Sequence, residues 1–141
     1  MNCPECGAPD GACEIRYNEC LVKEFTDAHY GQVHHLTVAT YMLQHSGRLT
    51  KEGWLYERAL LREFLIDKKP PALIRKQNRD LVDSGRRKFK ITSQDGLSKT
   101  GKARWNTTIL SVRMDDPAIY CDDVKAWAQS ALAEAEQLEM G

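Results

Sequence analysis

Cys3-Pro4-Glu5-Cys6-Gly7, followed by Cys13, is the stretch of sequence on which the fold of this chain depends. Three cysteines this close together, in a chain without a secretory signal at its start, favour thiolate ligation of a structural zinc ion over a disulfide framework. The total of five cysteines is odd, and four of them lie within the first twenty residues, which supports the same interpretation. Residues 1–13 are therefore predicted to form a zinc knuckle.

The fourth ligand is predicted from the two helices that follow the knuckle. The first runs to about Thr26 and the second begins at about Gln32, and the short turn around His29 makes them antiparallel. Residues equidistant from that turn lie side by side, which makes Cys13 and His45 neighbours. We therefore favour a tetrahedral zinc site whose four ligands are Cys3, Cys6, Cys13 and His45.

Two alternatives to this ligand set stay open at the level of the sequence. Cys20 lies about 10 Å further along the first helix and could replace His45 or Cys13. The knuckle could also be an untethered tail without a metal. His34 cannot share the ion, because eleven residues place it roughly 16 Å from His45 along the second helix.

The opposite end of the same hairpin gathers carboxylates and an imidazole. Glu24 and Asp27 on the first helix are predicted to approach His34 on the second. Such groups bind catalytic metals or perform acid–base chemistry, so one alternative function is that of a metal-dependent hydrolase or transferase. We favour a hydrogen-bonded polar pair that fixes the register of the two helices, because only one histidine clearly faces inward.

The whole chain, residues 1–141, is predicted to be a single, mainly α-helical domain, a bundle of four or five helices. Its helical core covers residues 14–85. Thr50 suits the N-cap of a third helix with core-facing apolar spacing, and Pro70 suits the first turn of a fourth.

The last third of the chain is predicted to contain an irregular segment and then a helix. The helical period disappears in residues 86–114, where residues 89–92 and 107–112 are rich in β-branched side chains and could pair as a small β-hairpin. Asp116 and Pro117 suit the N-cap and first position of a C-terminal helix over residues 116–139.

Charge is distributed unevenly although the net charge is zero. Residues 1–66 carry −3, residues 67–104 carry +8 and residues 105–141 carry −5. The basic stretch could bind an anionic partner, and the alternative of a nucleic-acid-binding adaptor would use residues 86–105, with Trp105 stacking on bases. We favour pairing with the acidic tail inside the fold. The candidate anion-binding residues are Arg86, Arg87, Lys88 and Lys90.

Composition places the chain among ordinary globular proteins, with 42% hydrophobic and 28% charged residues. No apolar run approaches the roughly 20 residues of a membrane span, so we expect a cytoplasmic protein without a membrane partner. The sequence favours a zinc-stabilised binding or regulatory module over an enzyme. The expected partner is another protein or a second copy, because neutral net charge permits self-association.

Several motifs lie along the chain: Cys3-Pro-x-Cys-Gly7, Cys13, His34-His-Leu-Thr-Val-x-x-Tyr-x-Leu-Gln-His45, Asp83-Ser-Gly-Arg-Arg-x-Phe-Lys-Ile-Thr92 and Val124-x-x-Trp127-Ala128. Together they resemble an uncharacterised bacterial family of small proteins, a domain of unknown function, and the similarity spans nearly the whole chain. The resemblance implies a metal site at the three cysteines and a histidine, and it brings no activity. The chain departs from the family pattern at Ser46, where proline commonly follows Gln-His, and at Phe89, where tryptophan is usual.

Overall fold

The structure is a computed structural model, and it describes residues 3–9, 11–70, 72–73, 76 and 105–137. Within these residues the regular structure is helical and no strand forms, which confirms the predicted mainly α-helical class. No helix in this part of the chain is both long and apolar enough to cross a membrane. The α-helices are α1 (Ala12–Thr26), α2 (Ala28–Gly31), α3 (His34–Gln44), α4 (Lys51–Leu65) and α5 (Pro117–Glu136), with 3-10 turns at Ser46–Arg48 and Ile109–Ser111.

Side-chain caps begin α4 and α5 where the sequence predicts them. The Thr50 hydroxyl accepts a hydrogen bond of 2.9 Å from the Gly53 backbone N–H at the start of α4. The Asp116 carboxylate accepts from the backbone of Ala118 at 2.8 Å, and Pro117 occupies the first turn of α5. Each cap satisfies backbone donors that the first helical turn leaves without partners.

Helix α3 lies at the centre of the fold and packs against both α4 and α5. Two buried indoles fix its last turn: Trp54 donates to the Leu43 carbonyl at 3.1 Å, and Trp127 donates to the Gln44 side-chain oxygen at 3.0 Å. The Gln44 amide in turn donates to the Thr107 carbonyl at 2.7 Å. The end of α3 that precedes His45 is therefore held in place by three separate parts of the chain.

The predicted β-hairpin is replaced by a 3-10 turn in the half that the structure describes. Ile109 and Val112 are each 1% exposed, and their three-residue spacing turns both inward where alternating strand geometry would have separated them. The Thr108 hydroxyl also accepts from the backbone of Leu110 at 3.2 Å, which starts the turn. Burial thus overrides the β-propensity of this segment. Its predicted partner strand, residues 89–92, lies outside the described residues.

Other predictions fall partly or wholly outside the described part of the chain. In the predicted fourth helix after Pro70, residues 72–73 and 76 are helical, and its remaining residues are outside the description. The C-terminal helix ends at Glu136, three residues before its predicted end. The basic residues Arg86, Arg87, Lys88 and Lys90 also lie outside the described residues.

Candidate metal centre

The four predicted donors lie together at one end of the helical bundle. The sulfurs of Cys3, Cys6 and Cys13 and a ring nitrogen of His45 are all within 4.8 Å of one another. In a tetrahedral site with metal–ligand distances of about 2.0–2.3 Å, neighbouring donors stand roughly 3.5–3.8 Å apart. The cluster is therefore compact enough for all four donors to reach one ion.

The knuckle itself is built by backbone hydrogen bonds around a left-handed glycine. Gly7 has a φ of 88°, which side-chain-bearing residues rarely adopt, and its N–H donates to the Cys3 carbonyl at 3.0 Å. The Ala8 N–H donates to the Cys6 sulfur at 3.5 Å. This turn places two sulfurs on one side and points a backbone N–H at one of them, as in structural zinc sites where N–H groups stabilise thiolates.

Distant residues dock the knuckle onto the helices. The Trp105 backbone N–H donates to the Cys6 carbonyl at 3.2 Å, and its indole N–H donates to the Glu5 carbonyl at 3.1 Å. The Glu5 carboxylate accepts from the Gly47 backbone at 3.1 Å. Sequence analysis did not identify these contacts, because nothing local links positions one hundred residues apart. Trp105 is 3% exposed and so cannot stack on bases as the nucleic-acid alternative requires.

One ring nitrogen of His45 has no protein partner within the described part of the chain. Its Nδ1 lies 2.9 Å from the Tyr41 carbonyl and must carry the proton to bond with it, which leaves Nε2 as a lone pair. That Nε2 is fully buried, and no described residue forms a hydrogen bond with it. Burial lowers the pKa of the imidazole, which keeps it neutral. A buried acceptor without a donor is unfavourable by itself, whereas metal coordination would satisfy it.

The three cysteines of the cluster are free thiols, and burial opposes the thiolate form at each of them. Burial raises the pKa of Cys6 to about 12, and the neighbouring thiols add to the effect. Burial also raises the pKa of Cys13. At Cys3 burial acts in the same direction, but backbone N–H groups of the knuckle outweigh it and lower the pKa. Metal binding at such a site releases thiol protons because the ion stabilises the thiolates.

Aromatic stacking continues from the cluster along the two helices of the hairpin. The Tyr41 ring stacks on His45 with centroids 4.0 Å apart and on Tyr17 with centroids 3.8 Å apart. Tyr17 and Tyr41 are each twelve residues from position 29, as Cys13 and His45 are each sixteen. The equal spacing from position 29 that predicted the candidate metal ligands therefore predicts this stack as well, although sequence analysis did not apply it to the tyrosines.

Cys20, the alternative ligand, is not part of the donor cluster. Its side chain is completely buried two helical turns further along α1, and burial raises its pKa to about 11. The Tyr120 hydroxyl is its hydrogen-bonding neighbour. Cys20 therefore belongs to the core between α1 and α5. The seven residues that separate it from Cys13 span about 10 Å of helix, which is too far for both sulfurs to bind one ion.

At the other end of the hairpin, Glu24 forms a hydrogen-bonded cluster with α3 and α5. Its side chain has no exposed surface, and Nδ1 of His34 lies 2.7 Å from its Oε1. The Thr37 hydroxyl donates to Oε2 at 2.6 Å, and the Tyr120 hydroxyl donates to the same oxygen. Burial and the bond to Glu24 raise the pKa of Tyr120, so that it stays a donor. Three protein groups thus surround the carboxylate.

Asp27 does not join Glu24 and His34 as the sequence predicted. Its carboxylate accepts from the His29 backbone at 2.9 Å and caps α2. A cap position follows from its place at the turn between α1 and α2, since the short side chain bonds to backbone nearby. Among the described residues, the only group of three or more His, Cys, Asp or Glu side chains close enough to share an ion is the cysteine–histidine cluster.

Comparison with known proteins identifies one family. The model of a family of unknown function, DUF5946, matches residues 1–136. The searches of curated proteins and of solved structures returned no match to the chain.

Proposed function

The chain belongs to the family of unknown function DUF5946, and we propose that within it this protein is a zinc-stabilised helical module that binds another protein. The observation that carries the proposal is the convergence of three thiols and a ring nitrogen of His45 within 4.8 Å, in a ring whose Nε2 has no hydrogen-bond partner among the described residues. The ion would attach the knuckle to α1 and α3, the two helices that supply its other ligands.

Ligand chemistry supports zinc as the metal. Three thiolates and one imidazole form a soft donor set, which suits Zn²⁺ and disfavours the oxygen-seeking Mg²⁺ and Ca²⁺. All four tetrahedral positions would be filled by protein side chains, so no position is left for water or substrate. These features favour a structural role over catalysis. Free thiols at all five cysteines also fit a reducing compartment, and we propose the cytoplasm.

Metal analysis of the purified chain tests the proposal directly. Protein produced with zinc in the medium should contain one Zn²⁺ per chain, and Co²⁺ replacement should give the visible absorption of a tetrahedral site with three sulfurs and one nitrogen. His45→Cys should still bind one Co²⁺ with stronger sulfur charge-transfer bands, because a fourth thiolate replaces the imidazole. Cys20→Ala serves as the control and should keep both stoichiometry and spectrum.

Two outcomes would overturn the assignment. A chain that contains no stoichiometric zinc and folds equally well in chelator has no structural zinc. A Co²⁺ spectrum that changes in Cys20→Ala and not in His45→Cys would transfer the fourth position from His45 to Cys20.

The exposed apolar face of α1 supports a protein partner, for which we propose a second copy of this chain. Ile15, Val22 and Phe25 are 64%, 62% and 74% exposed and recur at helical spacing. Side chains of both signs border them, so a two-fold partner could match the charges of this face with its own. The net charge of zero also removes long-range repulsion between copies. The bordering charges are Glu14, Arg16, Glu19 and Lys23.

Light scattering during size exclusion tests this partner. The zinc-loaded chain should elute as a dimer at about 100 µM, and Val22→Glu should be a monomer because it places a charge in the interface. Ile66→Glu, at an apolar side chain that is 52% exposed elsewhere, should stay dimeric. A monomer at all concentrations would overturn self-association and leave the zinc assignment standing.

A further inference from the structure

A cavity of about 270 Å³ lies where the end of α4 meets α3 and α5. Its apolar part includes Leu36, Phe64 and Leu65. The Phe64 ring is fixed by an edge contact with the His35 ring, whose centroid is 4.6 Å away. The volume is just below the roughly 300–1,000 Å³ of pockets for drug-sized molecules, so the cavity suits a small ligand.

Positive charge and hydrogen-bond donors surround this cavity. Lys68, Lys125, His35 and Gln129 contribute to its lining, and no carboxylate among the described residues does. Neither lysine forms an ion pair within the described part of the chain, whereas Lys69 pairs with Glu63 at 3.4 Å. Two unneutralised ammonium groups from different helical regions thus face one small cavity.

The backbone at Lys68 adopts a conformation that is rare for a residue that carries a side chain. Its φ is 55°, and among the described residues it is the only one other than glycine with a positive φ. The Lys69 N–H donates to the Glu63 carbonyl at 3.0 Å just after the end of α4, where a residue in this left-handed conformation is most often glycine. An L residue here is strained relative to glycine. Strain that persists at a ligand-facing side chain points to a function for that side chain.

We propose that this cavity binds the phosphate group of a small phosphomonoester, with the apolar part of the ligand against Phe64. The site lies outside the proposed zinc centre and adds a second activity to the proposed function. Two lysines without an arginine favour a tetrahedral dianion over a planar carboxylate, for which the paired N–H groups of arginine are the better match. The imidazole of His35 and the amide of Gln129 supply further polar groups at the rim.

Titration of the full-length, zinc-loaded chain with phenyl phosphate at low ionic strength tests the proposal by calorimetry. Saturable binding at one site per chain is expected, and Lys125→Gln should raise Kd at least fivefold. Lys68→Gly should also raise Kd at least fivefold while Tm stays constant or rises by about 2–4 °C, because glycine relieves the backbone strain. Lys51→Gln, at an exposed lysine of α4 that does not line the cavity, is the matched control and should leave Kd unchanged.

Three results would overturn the proposal. The first is the absence of saturable phenyl phosphate binding. The second is an equal loss of affinity in Lys51→Gln, which would indicate attraction by overall charge. The third is benzoate binding as tightly as phenyl phosphate, which would contradict the assignment of a phosphate. Because Lys68→Gly is expected to be at least as stable as the parent chain, a loss of binding in this variant cannot be attributed to unfolding.

Discussion

The two ends of the α1–α3 hairpin differ in how completely the protein satisfies its own polar groups. At the Glu24 end, a fully buried carboxylate receives hydrogen bonds from His34, Thr37 and Tyr120. At the cysteine end, the buried Nε2 of His45 has no partner among the residues that the structure describes. Both clusters link α1 to α3. In each cluster, one residue lies as many positions before residue 29 as its neighbour lies after it.

This difference separates a polar cluster whose groups satisfy one another from a cluster that could hold a metal ion. A buried carboxylate with three donors is a complete cross-link, and adding a metal there would mean breaking bonds that already exist. A buried imidazole nitrogen beside three thiols is incomplete, and a cation completes it. The comparison predicts that substitutions at the two ends have different effects on metal content and both reduce stability.

The largest expected effect comes from removing a thiol at the cysteine end. Cys13→Ser should abolish stoichiometric zinc and lower the free energy of unfolding by about 4 kcal/mol or more, because metal-binding energy is folding energy in structural sites. Zinc content by elemental analysis and urea denaturation measure the two effects. Cys121→Ser, at a half-buried cysteine on α5, should keep one zinc and change stability by less than about 0.5 kcal/mol. Equal behaviour of the two variants would contradict the comparison.

The next effect is expected at the Glu24 end. Glu24→Gln should lower the free energy of unfolding by about 3 kcal/mol, because the amide cannot accept from all three donors and a buried charge network is broken. Zinc content should stay at one per chain. Glu19→Gln, an exposed position on the same helix whose partner Arg16 is 3.4 Å away, is the control and should change stability by less than about 0.5 kcal/mol. Loss of zinc in Glu24→Gln would show that the ends are not independent.

Glu57 on α4 gives a third case for this comparison. It is a buried carboxylate that accepts no hydrogen bond from any described residue. Burial raises its pKa to about 7 from an ordinary value near 4.5. Between these pH values the folded chain keeps a proton that the unfolded chain releases, so stability falls as pH rises through this window and is then constant. Glu57→Gln should remove this fall and raise the free energy of unfolding at pH 8 by about 2 kcal/mol.

Urea denaturation at pH 5 and pH 8 measures this effect, with Glu52→Gln at an exposed position of α4 as the control. The gain in Glu57→Gln should be present at pH 8 and nearly absent at pH 5. A loss of stability at pH 8, as expected for Glu24→Gln, would mean that Glu57 has donors of its own.

The smallest effect concerns the contact that docks the knuckle. A Cβ at Gly47 would lie 2.2 Å from Oε1 of Glu5, so Gly47→Ala should displace the carboxylate and cost about 1 kcal/mol. Because this carboxylate is at the end of a flexible side chain, the cost should disappear in the background of Glu5→Ala. Thermal denaturation of the zinc-loaded parent chain, the two single variants and the double variant measures this coupling. If Gly47→Ala costs as much stability with Glu5→Ala as without it, the strain lies in the backbone.

Sequence analysis predicted the features that depend on local patterns. Helix α4 and helix α5 begin where Thr50 and Asp116–Pro117 predict, because caps bond to backbone within a few residues. The set of metal donors followed from a regular rise along two antiparallel helices joined by a short turn. Two predictions about which residues become neighbours were wrong. Asp27 bonds to the nearest backbone, and Ile109 and Val112 in the predicted strand turn inward to fill the core.

The sequence by itself therefore determined the helical class, the knuckle and the register that brings Cys13 to His45 and Glu24 to His34, since each depends on spacing alone. Tertiary structure decided which polar cluster is complete. Tyr120 reaches Glu24 from ninety-six residues away, and Trp105 reaches the knuckle from one hundred. The physical reason is that satisfaction of a buried polar group depends on every group packed around it, and distant segments meet only when the whole core forms.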